Sequence, residues 1–341
     1  MASLACALAL MSGVIGAGFA SGREIVRFFA GHGRMMGAAI VCAVTALYVL
    51  FLRLPSQMER SGSVSLAALC HLRFGDRLGR LCAGLFFVLY AITGGVMLAA
   101  CAELSALTLF LPHAYGAGLF LSLALGVMLA AFGLGGLALP GAALCAILPA
   151  LFVRLLALPA GEACFLPAMA PDLPVRAAAD GMIYGAFNAA MLAGAMPLLL
   201  SLDRRKRRRA VFLFAALFGA VLLLGAAACR RHLSAVWNQP LPFVALSRRL
   251  GRSGYPLVAA CMYAAALSTL SAMLCAMARL MPFSRRGSAL LSALLCLLVS
   301  LAGFSPLVES GYPVLGALCT GLLLLLCFPA CHEHPSTDPE K

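Results

Sequence analysis

Charge is what this sequence has least of. Only 11% of its 341 residues are Asp, Glu, Lys or Arg, while 63% are hydrophobic. A soluble domain carries about 25% charged residues. Too little polar surface is left to cover such a core, which excludes a soluble globular protein. Signatures of soluble enzymes are missing as well: there is no P-loop, HExxH, GxSxG or paired-Asp motif. A membrane-embedded hydrolase would need two intramembrane Asp, or Ser and His, on facing helices, and neither set occurs. Cysteine is plentiful, at 14 residues, but no CxxC or Cys/His metal spacing appears. Cys6, Cys42, Cys82, Cys101, Cys145, Cys261, Cys275 and Cys296 are scattered through apolar runs and read as small packing residues. The chain reads as a non-enzyme without a cofactor.

Long apolar runs with few charges are membrane spans of about 20 residues each. Ten such stretches follow one another, at 3–30, 35–54, 81–111, 115–133, 138–158, 179–201, 210–228, 255–281, 287–304 and 312–330. The apolar start resembles a signal peptide. It has no basic lead, however, and runs on into Arg23-Glu24, so it reads as a retained first span. The net charge of +13 does not point to nucleic acid, because the basic residues sit in short loops between spans. With the N-terminus inside, the cytoplasmic loops hold Arg53, Arg60, Arg73, Arg77 and Arg80, the run Arg204-Arg205-Lys206-Arg207-Arg208-Arg209, Arg279, Arg285 and Arg286, with Lys341 in the tail. The opposite loops hold Arg34, Arg154, Arg176 and a cluster in the long loop 229–254. Positive residues favour the cytoplasmic side, so both termini are expected there. Loop 229–254 has an apolar pattern that predicts a short helix over the outer mouth. Loop 55–80 predicts an amphipathic segment along the inner surface.

Ten spans divide into five and five, and an odd number per half forces the second half to be inverted. Such repeats place a solute site where one helix of each half is interrupted. The expected division is a first repeat at 1–158, an extracellular linker at 159–178, a second repeat at 179–330 and a polar cytoplasmic tail at 331–341. The first span carries Gly13, Gly16, Gly18 and Gly22, and the sixth carries Gly181 and Gly185 in a similar eight-residue string. Each glycine costs a helix interior up to about 1 kcal/mol relative to alanine. One reading makes them small-residue packing faces. The other makes them an unwound stretch whose carbonyls take a cation and whose amides take a carboxylate. Arg23, Glu24 and Arg27 follow at membrane depth, where ionisable residues face a cavity or a partner, and this favours unwinding. Asn188, beside an expected break at Tyr184-Gly185, is either a helix–helix bond or a solute contact. Ser268 and Thr269 in the eighth span suit back-bonding hydroxyls. Glu103 is a lone carboxylate in the third span, open to proton coupling or to pairing with Arg23 or Arg27; Tyr90 precedes it and is open to facing the same cavity. Glu309 reads as interfacial.

The string GVIGAGFASGREIVRFF, Gly13 to Phe29, resembles the opening of the YkvI-like family of bacterial membrane proteins, a family described as amino-acid permeases. Arg23 stands where Gln is common in that family. IYGAFNAAM in the sixth span is similar to its Tyr…Tyr-Asn pattern, with Phe187 for the second Tyr. The resemblance implies an all-α integral membrane protein of the LeuT-like fold, in the amino acid–polyamine–organocation superfamily, with helices 1 and 6 discontinuous. It implies a solute met by Ile15, Gly16, Ala17, Gly18, Phe19, Tyr184, Gly185 and Asn188. It also implies a sodium site from Ser12, Ile15 and Ala265 carbonyls and the Ser268 and Thr269 hydroxyls. Arg23, Glu24 and Glu103 are left as coupling groups. The expectation is a secondary active transporter of a small solute, a neutral amino acid foremost, driven by sodium or protons in a bacterial inner membrane. A non-transporting sensor or scaffold of the same fold, or a channel, is the alternative.

Overall fold

The computed structural model describes residues 2–109, 112–132, 138–159, 173–250, 254–281 and 283–328. These are helical and joined by short turns. In lipid a backbone must satisfy its own polar groups, and helices do so segment by segment. The first apolar stretch is three helices: α1 (Ala2–Val14), α2 (Ala17–Ser21) and α3 (Arg23–Phe28). A 3-10 stretch, Ala30–Met35, leads into α4 (Met36–Ser61). α5 (Leu66–Leu109) bends at Gly75, whose φ of 73° suits glycine. That bend separates the amphipathic segment from the third span. α6 (Ala114–Ala131) and α7 (Ala138–Ala157) complete the first half.

The sixth apolar stretch is α8 (Pro174–Met191), a 3-10 stretch Leu192–Ala195, and α9 (Met196–Leu200). Then come α10 (Arg204–Arg231), the short α11 (Leu233–Val236) and α12 (Pro242–Ser247), α13 (Gly254–Leu280), α14 (Arg285–Ser300), α15 (Phe304–Pro306) and α16 (Tyr312–Cys327). Among the described residues, seven helical stretches are long and apolar enough to cross a membrane, and three shorter apolar helices, Ala2–Val14, Ala143–Ala157 and Arg286–Ser300, fill the remaining predicted positions. Apolar side chains such as Val41, Phe120, Leu290 and Leu325 are exposed on the outside of the bundle, as lipid-facing residues are.

Two expectations change. α4 continues past residue 54 to Ser61, straight through Pro55. The helix predicted over the mouth of loop 229–254 is two short helices, and Val236, Phe243, Val244 and Leu246 on them are buried, so this segment inserts between its neighbours. The linker and the tail fall largely outside the described residues, at 160–172 and 329–341.

α8 packs on α4 through two glycines one turn apart. A Cβ on Gly185 would stand 2.6 Å from the Ala43 carbonyl oxygen, and one on Gly181 would overlap the Ala39 carbonyl. Only glycine lets the two backbones approach this closely. α5 is the central post: 78% of its apolar window is buried, against 28% for α6.

The basic run at the start of α10 opposes the helix dipole. Asp203 offsets it as N-cap, its Oδ1 accepting from the Lys206 amide at 2.8 Å. The Lys206 ammonium bonds the same carboxyl and holds it below the usual range. Arg207, with a side chain only 3% exposed, donates to both carboxylate oxygens of Glu59 at 2.5 and 2.7 Å. This bidentate pair ties α10 to the end of α4. Glu59→Gln leaves the guanidinium buried against a neutral amide, at a cost of about 1.5–3 kcal/mol. Thermal unfolding in detergent should show a midpoint several degrees lower; an unchanged midpoint contradicts the assignment.

Candidate solute and ion site

The first apolar stretch breaks twice, and other helices touch it at both breaks. The Ile15 amide donates to the Met11 carbonyl at 2.8 Å. Gly16 then goes extended, at φ −78° and ψ −173°, and the ladder stops. The last carbonyls of α1 therefore lack helical donors. A Cβ on Gly16 would lie 2.9 Å from the Thr269 hydroxyl of α13. The five residues of α2 end at Gly22, where φ is 82° and Phe243 of α12 lies 2.8 Å from the place of a Cβ.

Glu24 sits just past the second break and is 5% exposed. Its Oε2 accepts from the Tyr184 hydroxyl at 3.2 Å. A Cβ on Gly18 would overlap its Oε1. Tyr184 is fully buried, with the rings of Phe28 and Phe29 5.3 and 4.9 Å away. Asn188 donates from Nδ2 to the Tyr184 carbonyl one turn earlier, at 2.9 Å. Tyr312 of α16, also buried, packs at a tilt against Phe187, with ring centroids 4.4 Å apart, and lies within electrostatic reach of Glu24.

The neighbouring cations look elsewhere. Arg23 pairs with the Glu309 carboxylate and donates to the Trp237 carbonyl. Its Nε is buried without a partner. Arg27 and His32 converge on Asp180 Oδ2, at 3.5 and 3.0 Å. No ion pair joins Glu24 to a cation among the described residues.

A cavity lies on each side of this centre. One, of about 500 Å³, is lined by Arg23, Arg27, His32, Arg176, Asp180 and Glu309 among others. The second, of about 370 Å³, is lined by Ser12, Gly13, Tyr90, Leu192, Ser268 and Thr269 among others. Along the first stretch the linings run from Arg23 to His32 in one and from Ala9 to Gly13 in the other. Along the sixth they run from Arg176 to Asp180 and from Met191 to Ala195. The cavities thus flank the break from opposite directions.

The structure gathers some of the predicted residues and disperses others. Ser12, Ser268 and Thr269 share the second cavity, and Gly16 abuts Thr269. Thr269 Oγ1 donates to the Ala265 carbonyl at 2.9 Å, so two of the five groups expected at the ion site are adjacent. Gly18, Glu24, Tyr184 and Asn188 form the buried centre.

Three predicted features are placed differently. Phe19 is buried against Phe218 of α10, with ring centroids 5.7 Å apart; its side chain is packing. α8 runs unbroken through Tyr184-Gly185, because Gly185 packs on the α4 backbone, and the interruption comes at Leu192–Ala195. Glu103 meets neither Arg23 nor Arg27, which are taken by Glu309 and Asp180; it lies within electrostatic reach of Tyr115 on α6. Tyr90 lines the second cavity and Glu103 does not. Tyr312 and Glu309 are the residues that sequence reading undervalued. Their only signal was polarity at the head of the last apolar stretch.

No protein-family model and no curated protein sequence matches the chain. Solved structures do. Mhp1, a nucleobase-cation-symport-1 family transporter in a closed conformation with bromovinylhydantoin bound, matches with a TM-score of 0.63 at 16% identity, over 95% of this chain and 77% of its own. The chain has the fold of these transporters. The inward-facing conformation of Mhp1 gives 0.64 at 16% identity, over 95% and 75%. A variant of the manganese transporter of Eremococcus coleocola gives 0.55 at 12% identity, over 95% and 78%. The LeuT-like fold expected from the glycine motif is observed, and none of these matches names the YkvI-like family. At such identities the likeness is one of fold.

Proposed function

We propose that the chain is a cation-coupled secondary transporter of a small solute, a neutral amino acid foremost, working by alternating access in a bacterial inner membrane with both termini cytoplasmic. The observation that carries this reading is the twice-broken first helix with a cavity on either side. A solute held at Gly16–Gly18 needs one cavity to arrive and the other to leave. In this reading the arginine-lined cavity is the outer one, closed over by the Arg23–Glu309 pair and by α12 against Gly22. The hydroxyl-lined cavity is the inner one. The second interrupted stretch, α8 with α9, opens the second half as α1 to α3 open the first, which supports a five-plus-five inverted repeat. Around the break Arg23 and Arg27 are engaged by Glu309 and Asp180. Their terminal nitrogens are turned to those carboxylates, which favours a neutral solute over an acidic one.

Sodium fits best beside Ser268 and Thr269, where hydroxyls, the Ala265 carbonyl and the open carbonyls at the end of α1 supply the hard oxygen ligands such a cation takes. Counterflow of labelled neutral amino acids in proteoliposomes, with and without a sodium or proton gradient, tests the function. At least one amino acid should exchange. If none moves under either gradient, the transport reading fails. Ser268→Ala with Thr269→Ala should raise the sodium concentration needed for half-maximal uptake at least about tenfold, which is about 1.4 kcal/mol. An unchanged requirement rules out that ion site.

A further inference from the structure

Most charged side chains around the break are paired, Arg176 of the first cavity excepted among the described residues, and Glu24 stands out as the carboxylate without a cation. Arg23 holds Glu309, Arg27 and His32 hold Asp180, and at the far end of α10 Arg207 holds Glu59. Glu24 is more buried than Asp180 or His32 and has a tyrosine hydroxyl for company. An ionised carboxylate left alone inside a membrane protein costs several kcal/mol. It needs a proton or a bound cation.

The space around it decides between the two. A metal ion wants several oxygen ligands at about 2.0–2.6 Å, and a substrate ammonium wants a void of its own. Here Oε1 presses on the α-carbon of Gly18 so closely that a methyl would not fit. Oε2 is taken by Tyr184, whose ring is wedged against Phe28 and Phe29. The linings of the two flanking cavities do not include Glu24. A proton is the one cation that needs no room.

We propose that Glu24 is a proton-binding site that loads and unloads as the two cavities open in turn. The groups facing it suit that role. Tyr184 on α8 donates to the carboxylate, and after protonation the same two oxygens remain bonded with the roles exchanged, since a phenol both donates and accepts. Tyr312 on α16 is the second titratable group within reach. Asp180 on α8, His32, and Arg27 on α3 face the first cavity and one another. Arg23, next to Glu24 in sequence, faces Glu309 of the turn before α16. From α2 the facing atoms are the Gly18 backbone, while the Asn188 amide on α8 is spent on the Tyr184 carbonyl. Arg23, Val26 and Arg27 line the first cavity, so opening it along α3 brings water to the carboxylate, which takes a proton from that water. The proton leaves to water when the other cavity reaches the break. The step is a protonation and its reverse, with no other bond made or broken. It is independent of whichever ion occupies the hydroxyl site.

The cycling rests on the transport reading; the protonation does not, and the two are tested separately. Infrared spectra of the purified protein in lipid at neutral pH should show a carboxyl C=O stretch that Glu24→Gln removes and Glu103→Gln leaves in place. Glu24→Asp, which keeps a carboxyl, should retain the band at a shifted frequency and covers the case in which the glutamine variant does not fold. A wild-type spectrum without the band, or a band unaltered in folded Glu24→Gln, overturns the proposal. With an amino acid that exchanges in counterflow, Glu24→Gln should lose the acceleration that an inward proton gradient gives the wild type. Full proton acceleration in that variant overturns the cycling. If no amino acid exchanges in the wild type, transport fails as a reading while the infrared band still decides the proton site.

Discussion

Gly18→Ala is expected to stop transport while leaving the helices assembled. The new Cβ falls on Glu24 Oε1, so either the carboxylate swings away from Tyr184 or α2 shifts against α3. Overpacking by one methyl costs about 1–3 kcal/mol in a well-packed interior, a size a protein of this length tolerates. Placed at the moving part, the same energy falls on the transport step. About 3 kcal/mol there lowers a rate by roughly 100-fold. The measurement is initial uptake in proteoliposomes together with gel-filtration of the detergent-purified variant. Gly37→Ala is the control, because nothing lies within 4 Å of its would-be Cβ. A monodisperse Gly18→Ala protein with wild-type uptake removes the contact from the mechanism.

The second large effect concerns folding. Gly185→Leu drives a branched side chain into the Ala43 carbonyl, a backbone atom that cannot rotate away. α8 would have to lift off α4, and Tyr184, next in sequence, would leave Glu24. The cost should be about 3 kcal/mol or more, enough to remove most folded protein. Fluorescence-detected gel filtration of solubilised membranes should show loss of the monodisperse peak. The peak should persist for Gly116→Ala, where the added methyl meets open space. A normal yield of folded Gly185→Leu would mean that α4 and α8 do not pack as described.

These two glycines show what sequence could and could not reveal. Apolar runs of membrane length are written directly in composition, so the ten stretches were legible, and so was the break in the first. Glycines followed at once by Arg23, Glu24 and Arg27 leave little else for that segment to be. In the sixth stretch the same residue type does a different job. Gly181 and Gly185 are spaced for packing, and which neighbour they pack on depends on α4, about 140 positions earlier. The real interruption, Leu192–Ala195, contains one glycine among apolar residues and carries no strong local signal. Likewise Glu24 was visible as a charge at membrane depth, but its isolation was not. That depends on Glu309 and Asp180 drawing the two arginines away, and these are long-range pairings that no local pattern encodes. Phe19 looked like part of the solute motif because of its place beside the glycines; the ring it meets, Phe218, belongs to α10.

Solute accumulation tests the central claim most directly. Purified protein in sealed liposomes, given a labelled neutral amino acid and an inward sodium or proton gradient, should concentrate it inside above the outside level. An ionophore that collapses the gradient should release it. Entry that stops at equal concentrations and ignores the ionophore would mark a channel, and no entry at all would leave a fold without transport; either result would contradict a coupled carrier built around the broken first helix.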